Sequence, residues 1–136
     1  MPLLLDIVTP EKKIFSGTVE NIYLPGVDGE MGILPNHVDL VTALRPGVVR
    51  YLHSGNIESL AIGSGFAEIT HTHVVILTDS ALGESEIDED QVEAAIARAR
   101  EKLASVDHNL DSEEVAYLQG VIARSAAALL FKRKSH

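Results

Sequence analysis

Along the first 84 residues, short runs of β-branched and aliphatic residues alternate with turn signals. The runs are LLLDIVT, TVENIYLP, GVVRYL, IESLAIG, FAEITH and HVVILTD; between them stand Thr9-Pro10, Pro25-Gly26, Pro46-Gly47, Ser54-Gly55-Asn56 and Gly63-Ser64-Gly65. Many short strands at this spacing predict an all-β sandwich or barrel. Alternation in VENIYL places Val19, Ile22 and Leu24 imperfectly on one face, while HVVILT is apolar throughout and is expected to be buried on both sides. His53-Ser54-Gly55-Asn56, between two runs, is a hairpin-turn candidate.

Beyond Gly83 the period changes. Nine of the ten glycines and all five prolines fall before residue 84, and the remainder is rich in Ala, Glu and Arg. Asp88 with Gln91 forms a variant capping box, after which Val92, Ala95, Ile96, Ala99 and Leu103 recur on one helical face. A second start lies at Asp111 with Glu114, followed by a stripe of Val115, Leu118, Ile122, Ser125 or Ala126, and Leu129. Ser105 to Leu110 is long enough for the turn between them. The tail therefore predicts an antiparallel hairpin of two helices, each about 25 Å long. Acids crowd the two starts (Glu86, Asp88, Glu89, Asp90; Asp111, Glu113, Glu114), and bases the two ends (Arg98, Arg100, Lys102; Lys132, Arg133, Lys134), which complements the helix dipoles. Since each helix carries one apolar stripe, the hairpin is expected to be the less stable half, held partly by docking on the sandwich. The fold class is α+β in two parts: residues 1–84 a β-sandwich, residues 85–136 a helical hairpin.

Composition narrows the function classes. The chain has 136 residues and no cysteine, which removes disulfides and thiolate chemistry. A net charge of −9 and a pI near 5.0 argue against nucleic acid as a partner, because phosphate neutralisation needs clustered Lys and Arg. MPLLLDIVTP carries Asp6 and no basic flank, so it reads as a first strand and not as a targeting segment. The longest apolar run, Ala126 to Phe131, falls far short of the roughly 20 residues of a membrane span, and none is expected.

Signs of reaction chemistry are sparse. Gly63-Ser64-Gly65 sets glycines directly beside the serine, whereas a nucleophile elbow needs them two positions away, so a tight turn is the reading. Gly26, Gly29 and Gly32 match neither a dinucleotide fingerprint nor a P-loop, and Pro35 denies them a following helix. His71 and His73 would share a strand face, but two ligands without a third do not make a metal site, and they are read as exposed strand histidines. Glu68 and Asp79 are too isolated for an acid–base pair. No enzyme is expected and no metal or cofactor is assigned.

The stretch Gly29-Glu30-Met31-Gly32-Ile33-Leu34-Pro35-Asn36-His37, followed by Leu40, Thr42, Leu44, Pro46 and Gly47, resembles the signature of the epsilon subunit family of F-type ATP synthases. The resemblance extends to DIVTPEKKIFSGTVENIYLPGVDGE, to GSGFAEIT, to VVILTDSA and to the two-helix tail. It implies a ten-stranded β-sandwich followed by a helical hairpin, and a non-catalytic rotor subunit. Such a subunit joins the gamma subunit in the central stalk and couples the c ring to the catalytic head. Glycine and proline would then fix a rigid turn that presents neighbouring side chains in one geometry. By motif position, Glu30, Met31 and His37 are candidates for the c-ring interface, with ring arginines donating to Glu30.

In bacterial relatives the hairpin alternates between a compact form and an extended form that blocks ATP hydrolysis. Arg98, Arg100, Arg124, Lys132, Arg133 and Lys134 are the candidates to meet the alpha and beta subunits. Some relatives bind ATP through Ile/Leu-Asp-x-x-Arg-Ala at the first helix start and through arginines later on; here Ile87 and Asp88 keep the opening and Arg98 matches one of the later positions, but Gln91 and Val92 replace the Arg and Ala. Glutamine cannot replace a guanidinium as a cation, so ATP binding is expected to be weak or absent. Two other classes compete, a stand-alone ATP-sensing module and a β-sandwich hydrolase or carbohydrate-binding domain. Gln91 and Val92 weaken the first, and a chain with three Tyr, three Phe and no Trp offers the second few aromatic platforms. The implied location is peripheral, on the cytoplasmic face of a bacterial membrane or the stromal face of a plastid thylakoid.

Overall fold

Alternation along the first strand decides the layering. In β1 (Leu3–Val8), Leu3, Leu5 and Ile7 are buried while Leu4, Asp6 and Val8 turn to the opposite face, as the two-residue period of a strand requires. The computed structural model describes residues 3–36, 39–104 and 112–134. The other strands are β2 (Lys13–Val19), β3 (Ile22–Gly26), β4 (Gly29–Ile33), β5 (Leu40–Leu44), β6 (Gly47–His53), β7 (Asn56–Ile62), β8 (Gly65–Ile69), β9 (His73–Thr78) and β10 (Ala81–Leu82). One layer runs β5-β8-β9-β1-β2 and the other β10-β7-β6-β3, with β4 paired to β3. Among the described strands, β1 and β9 form the one parallel pair.

The layers meet at two seams. At one, Gly26 pairs with Leu44. At the other, the Glu20 amide donates to the Leu52 carbonyl and the Leu52 amide to the Asn21 carbonyl. There the Phe15 ring packs 4.6 Å from Tyr51 and 5.2 Å from His53, centroid to centroid. Between the layers lies one core, with Leu5, Ile7, Ile69, Val74 and Ile76 from one side and Ile22, Leu24, Ile33, Val49 and Ile62 from the other.

The hairpin turn at Ser54-Gly55 forms as expected between β6 and β7. Both residues have positive φ, 52° and 80°, the twist that matches two antiparallel strands. Other expectations are corrected. TVENIYLP is not one strand: Val19 ends β2, Ile22 opens β3, and the bend between them lets Val19, Ile22 and Leu24 all reach the core. HVVILT is buried on one face only, with Val74, Ile76 and Thr78 inward and Leu77 53% exposed. The glycine- and proline-rich stretch from Gly29 to Gly47 contains two strands, β4 and β5, and not just one bend.

The helices are α1 (Glu89–Ala104) and α2 (Ser112–Lys134). They are unequal, about 24 and 34 Å long at the α-helical rise. The expected second start at Asp111 and the turn from Ser105 to Leu110 lie outside the described residues. Arg98 and Arg100 sit inside α1, leaving Lys102 as the base of its last turn. Although no uninterrupted apolar run is long enough, α2 as a whole is long and apolar enough to cross a membrane by length and composition. Here it lies along α1 and rests on β6 and β7. Ala128, Ala61 and Ile87 form a small satellite core, with Val92 and Phe131 packed against it.

Candidate docking surfaces

The β3–β4 hairpin shows why its glycines are needed. A Cβ on Gly26 would stand 2.8 Å from the Gly29 carbonyl oxygen and 3.1 Å from the Met31 sulfur, and Gly29 has φ 134°. Both positions exclude ordinary side chains. In the β3–β4 pairing Glu30 stands opposite Pro25. Neighbours on a strand face opposite ways, so Met31 packs towards the core while Glu30 is exposed. The two described candidates of the ring interface therefore point to opposite sides of β4; His37 lies outside the described residues. Arg50, on β6, donates from Nη2 to Glu30 Oε1 at 2.5 Å. Downstream, Asn36 adopts φ 66°, and its amide donates to the His71 carbonyl at 3.1 Å, tying this loop to the β8–β9 turn.

The candidate residues of the hairpin separate into several settings. Asp88 caps α1, its Oδ1 accepting from the Asp90 and Gln91 amides at 3.0 and 3.2 Å. Ile87 is buried in the satellite core and Val92 packs against it. Arg98 is exposed about 15 Å further along α1. Ile87, Asp88 and Arg98 thus do not converge on one pocket. Arg124 Nη1 lies 3.8 Å from Asp79 Oδ2, and Lys132 Nζ donates to the Glu84 carbonyl at 3.1 Å. Arg133 pairs with both Glu89 and Glu93, so the basic end of α2 meets the acidic start of α1. Lys134 is the last described residue of α2, and Arg100 is exposed in a cavity of about 550 Å³ between the helices, beside Ile96, Leu129 and Arg133. In this compact arrangement Arg124, Lys132 and Arg133 are engaged within the chain.

Two further features are not evident in the sequence. On the outer face of the β5-β8-β9-β1-β2 layer, cross-strand pairing aligns Ala43, Phe66, Leu77 and Val8 in one row. Phe66 is 59% exposed; exposed Val41 lies one row away, in line with Glu68, Val75 and Asp6, and Leu4 lies beyond Asp6 on β1. Within β9, Leu77 stands on the face opposite the core residues, but only pairing with β8 and β1 brings Phe66 and Val8 beside it. The second feature is a polar cluster on that same face. Asp6 Oδ2 accepts from His73 Nε2 at 2.6 Å and its Oδ1 lies 3.6 Å from Lys13 Nζ. Hydrogen bonds from Ser16 and His73 hold the Asp6 carboxyl below its ordinary value of 3.8. His73 is therefore a paired, partly exposed side chain, and His71 precedes β9 instead of sharing its face. Among the described residues, no group of three His, Asp or Glu side chains could hold a metal ion.

A two-layer β-sandwich with a docked helix pair, carrying its candidate residues on outward strand and helix faces, is the class of protein this geometry defines. Residues 2–84 match the family described as ATP synthase, Delta/Epsilon chain, beta-sandwich domain, and the chain belongs to that family, among its epsilon chains. It is 42% identical over 107 residues to the ATP synthase epsilon chain of Desulforamulus reducens, covering 79% of this chain and 81% of that one. To the epsilon chain of Anaeromyxobacter sp. (strain K) it is 36% identical over 130 residues, 96% of each. Among solved structures it is similar to a chain of the Euglena gracilis mitochondrial ATP synthase, OSCP/F1/c-ring, with a TM-score of 0.75 at 28% identity, covering 99% of this chain and 82% of that one. A chain of the Tetrahymena thermophila mitochondrial ATP synthase central stalk and c-ring shares the fold, with a TM-score of 0.60 at 12% identity over 95% of this chain and 97% of that one.

Proposed function

We propose that this chain is a non-catalytic rotor subunit, docked on the gamma subunit through the Phe66–Leu77 row and on the c ring through the β4 side that carries Glu30. The observation that carries the reading is the uncovered apolar row on one sandwich face, while the opposite layer is covered by α2. A contiguous apolar surface on a protein of net charge −9 fits a partner chain better than open water. The motif likeness on β4 supports the ring contact, and the relatives named for ATP synthase support the assembly. Its place is peripheral to the membrane that holds the c ring.

The hairpin adds a regulatory role. Extended, it would free Arg124, Lys132 and Arg133 for the alpha and beta subunits and inhibit hydrolysis; compact, it holds them against Asp79, Glu84, Glu89 and Glu93. ATP is not its controlling ligand: Gln91 carries no cation, and Val92 packs on the satellite core. Calorimetry of the isolated chain with ATP is expected to show no micromolar binding.

The rotor reading is tested by co-purification. A tagged copy should recover the gamma, alpha and beta subunits. Phe66→Asp with Leu77→Asp, both at exposed positions, should weaken recovery of gamma by at least about tenfold, since charges in a buried apolar contact cost a few kcal/mol. Undiminished recovery by the folded double variant would move the gamma contact to another face.

A further inference from the structure

We infer that Arg50 is the positioning residue for Glu30: it reaches across β3 and sets the carboxylate of β4 in place for the ring contact. The inference rests on the proposed role of Glu30 and goes beyond it by assigning a function to a side chain on a different strand.

Strand register brings the two residues together. Tyr23 of β3 pairs with Arg50 of β6 on one side and with Gly32 of β4 on the other, and Pro25 pairs with Glu30. Arg50 and Glu30 are thus two strand spacings apart, roughly 10 Å between backbones, a span that two long side chains can close over β3. The floor beneath them is preset. Pro25 is buried and has no N–H with which to draw the Glu30 carboxylate back to the strand. Gly32, two positions along β4 on the Glu30 face, leaves its space to the Tyr23 ring, whose Cε1 would stand 3.1 Å from a Cβ there. Arg50 is the cation that the described residues pair with Glu30.

The pairing leaves the contact open. Nη2 of Arg50 meets Oε1 of Glu30, and a carboxylate has a second oxygen that can accept from a partner's donor. Both side chains are about half exposed, 47% and 51%, so the pair restrains a rotamer without removing the carboxylate from reach. A cavity of about 500 Å³ borders them, lined also by Arg45 and by Leu130 and Phe131 of α2. Arg45 places a second positive group on the wall of the same cavity.

The test uses the whole ATP synthase in membrane vesicles, measuring ATP-driven proton pumping per ATP hydrolysed. Arg50→Gln should lower that ratio about two- to fivefold, the scale of losing a half-exposed charged pair. Arg50→Lys, which keeps the charge and most of the reach, should restore most of it. The amount of chain bound to the complex and its melting temperature should stay unchanged in both, which a merely structural role for Arg50 would not allow. If Glu30→Gln lowers pumping and Arg50→Gln does not, or raises it, the positioning role is wrong and Glu30 stands alone. If Glu30→Gln itself leaves pumping intact, the ring-contact reading fails first.

Discussion

Asp6 and His73 join β1 to β9 at their outer face, with His73 Nε2 2.6 Å from Asp6 Oδ2. A carboxylate only accepts, so the imidazole nitrogen must be the donor. Ser16 on β2 and Lys13 approach the same carboxylate. One side chain therefore ties three adjacent strands, including the one parallel pair of the described strands.

The pH dependence of stability follows from this. The folded carboxyl is held below its ordinary value of 3.8. The contribution of Asp6 is thus fully present above that value, where the unfolded chain is also ionised, and is lost as pH falls through the lower folded value. In urea titrations, Asp6→Asn should cost about 1 kcal/mol at pH 7 and flatten the decline of stability on acidification. A variant whose acid limb parallels that of the parent would remove Asp6 from this role.

Close backbone approach makes Gly65 intolerant of substitution. An added Cβ would stand 2.0 Å from the Leu77 carbonyl oxygen and 2.9 Å from the Thr78 Cα, both backbone atoms of β9. The strands would have to separate where the Thr78 hydroxyl donates to the Ser64 carbonyl at 3.0 Å. Gly65→Ala should destabilise the sandwich by about 1–3 kcal/mol, read as a lower urea midpoint. An unchanged midpoint would mean that β8 and β9 can part at little cost.

Gly120 is the opposite case. It lies within α2, exposed, and a methyl group added there would meet nothing within 4 Å. Replacing it with alanine removes backbone freedom from the unfolded chain and adds no clash, so Gly120→Ala should stabilise α2 by about 1 kcal/mol. Amide exchange along α2 should slow accordingly, while exchange in the sandwich core stays the same. Faster exchange in α2 would show that the glycine serves its packing.

How much of this is legible in the sequence depends on what each segment's neighbours demand. The division near Gly83 is visible because period and glycine content change together there. Ser54-Gly55 is visible because a two-residue hairpin needs two positive φ values at adjacent positions. β4 and β5 are hidden: Gly29, Gly32 and Pro46 look like loop residues, and only their pairing with β3 and β8 makes GEMGI and LVTAL strands. The motif names Glu30 and Met31 together, but alternation along β4 sends them to opposite sides. Arg50 as the partner of Glu30 depends on three-strand register, and Phe66 and Leu77 as neighbours depend on β8–β9 pairing. No local pattern encodes either relation.

The hairpin's docking rests on small residues at one point, and that point is open to test. Ala128 of α2 and Ala61 of β7, both buried, share one satellite core with Ile87, against which Val92 and Phe131 pack. Polar links include Arg124 to Asp79 at 3.8 Å and Lys132 to the Glu84 carbonyl, partly exposed and worth little each. The buried satellite core where α2 rests on β7 is therefore the apolar restraint to perturb. Ala128→Leu should overfill it by about 1–3 kcal/mol, enough to lift α2 while the separate core around Leu5, Ile22 and Ile76 stays folded. Limited trypsin digestion should then cut faster after Arg124 and Lys132 and leave the sandwich intact. If cleavage in α2 is no faster than in the parent, the hairpin is held by contacts other than this satellite core.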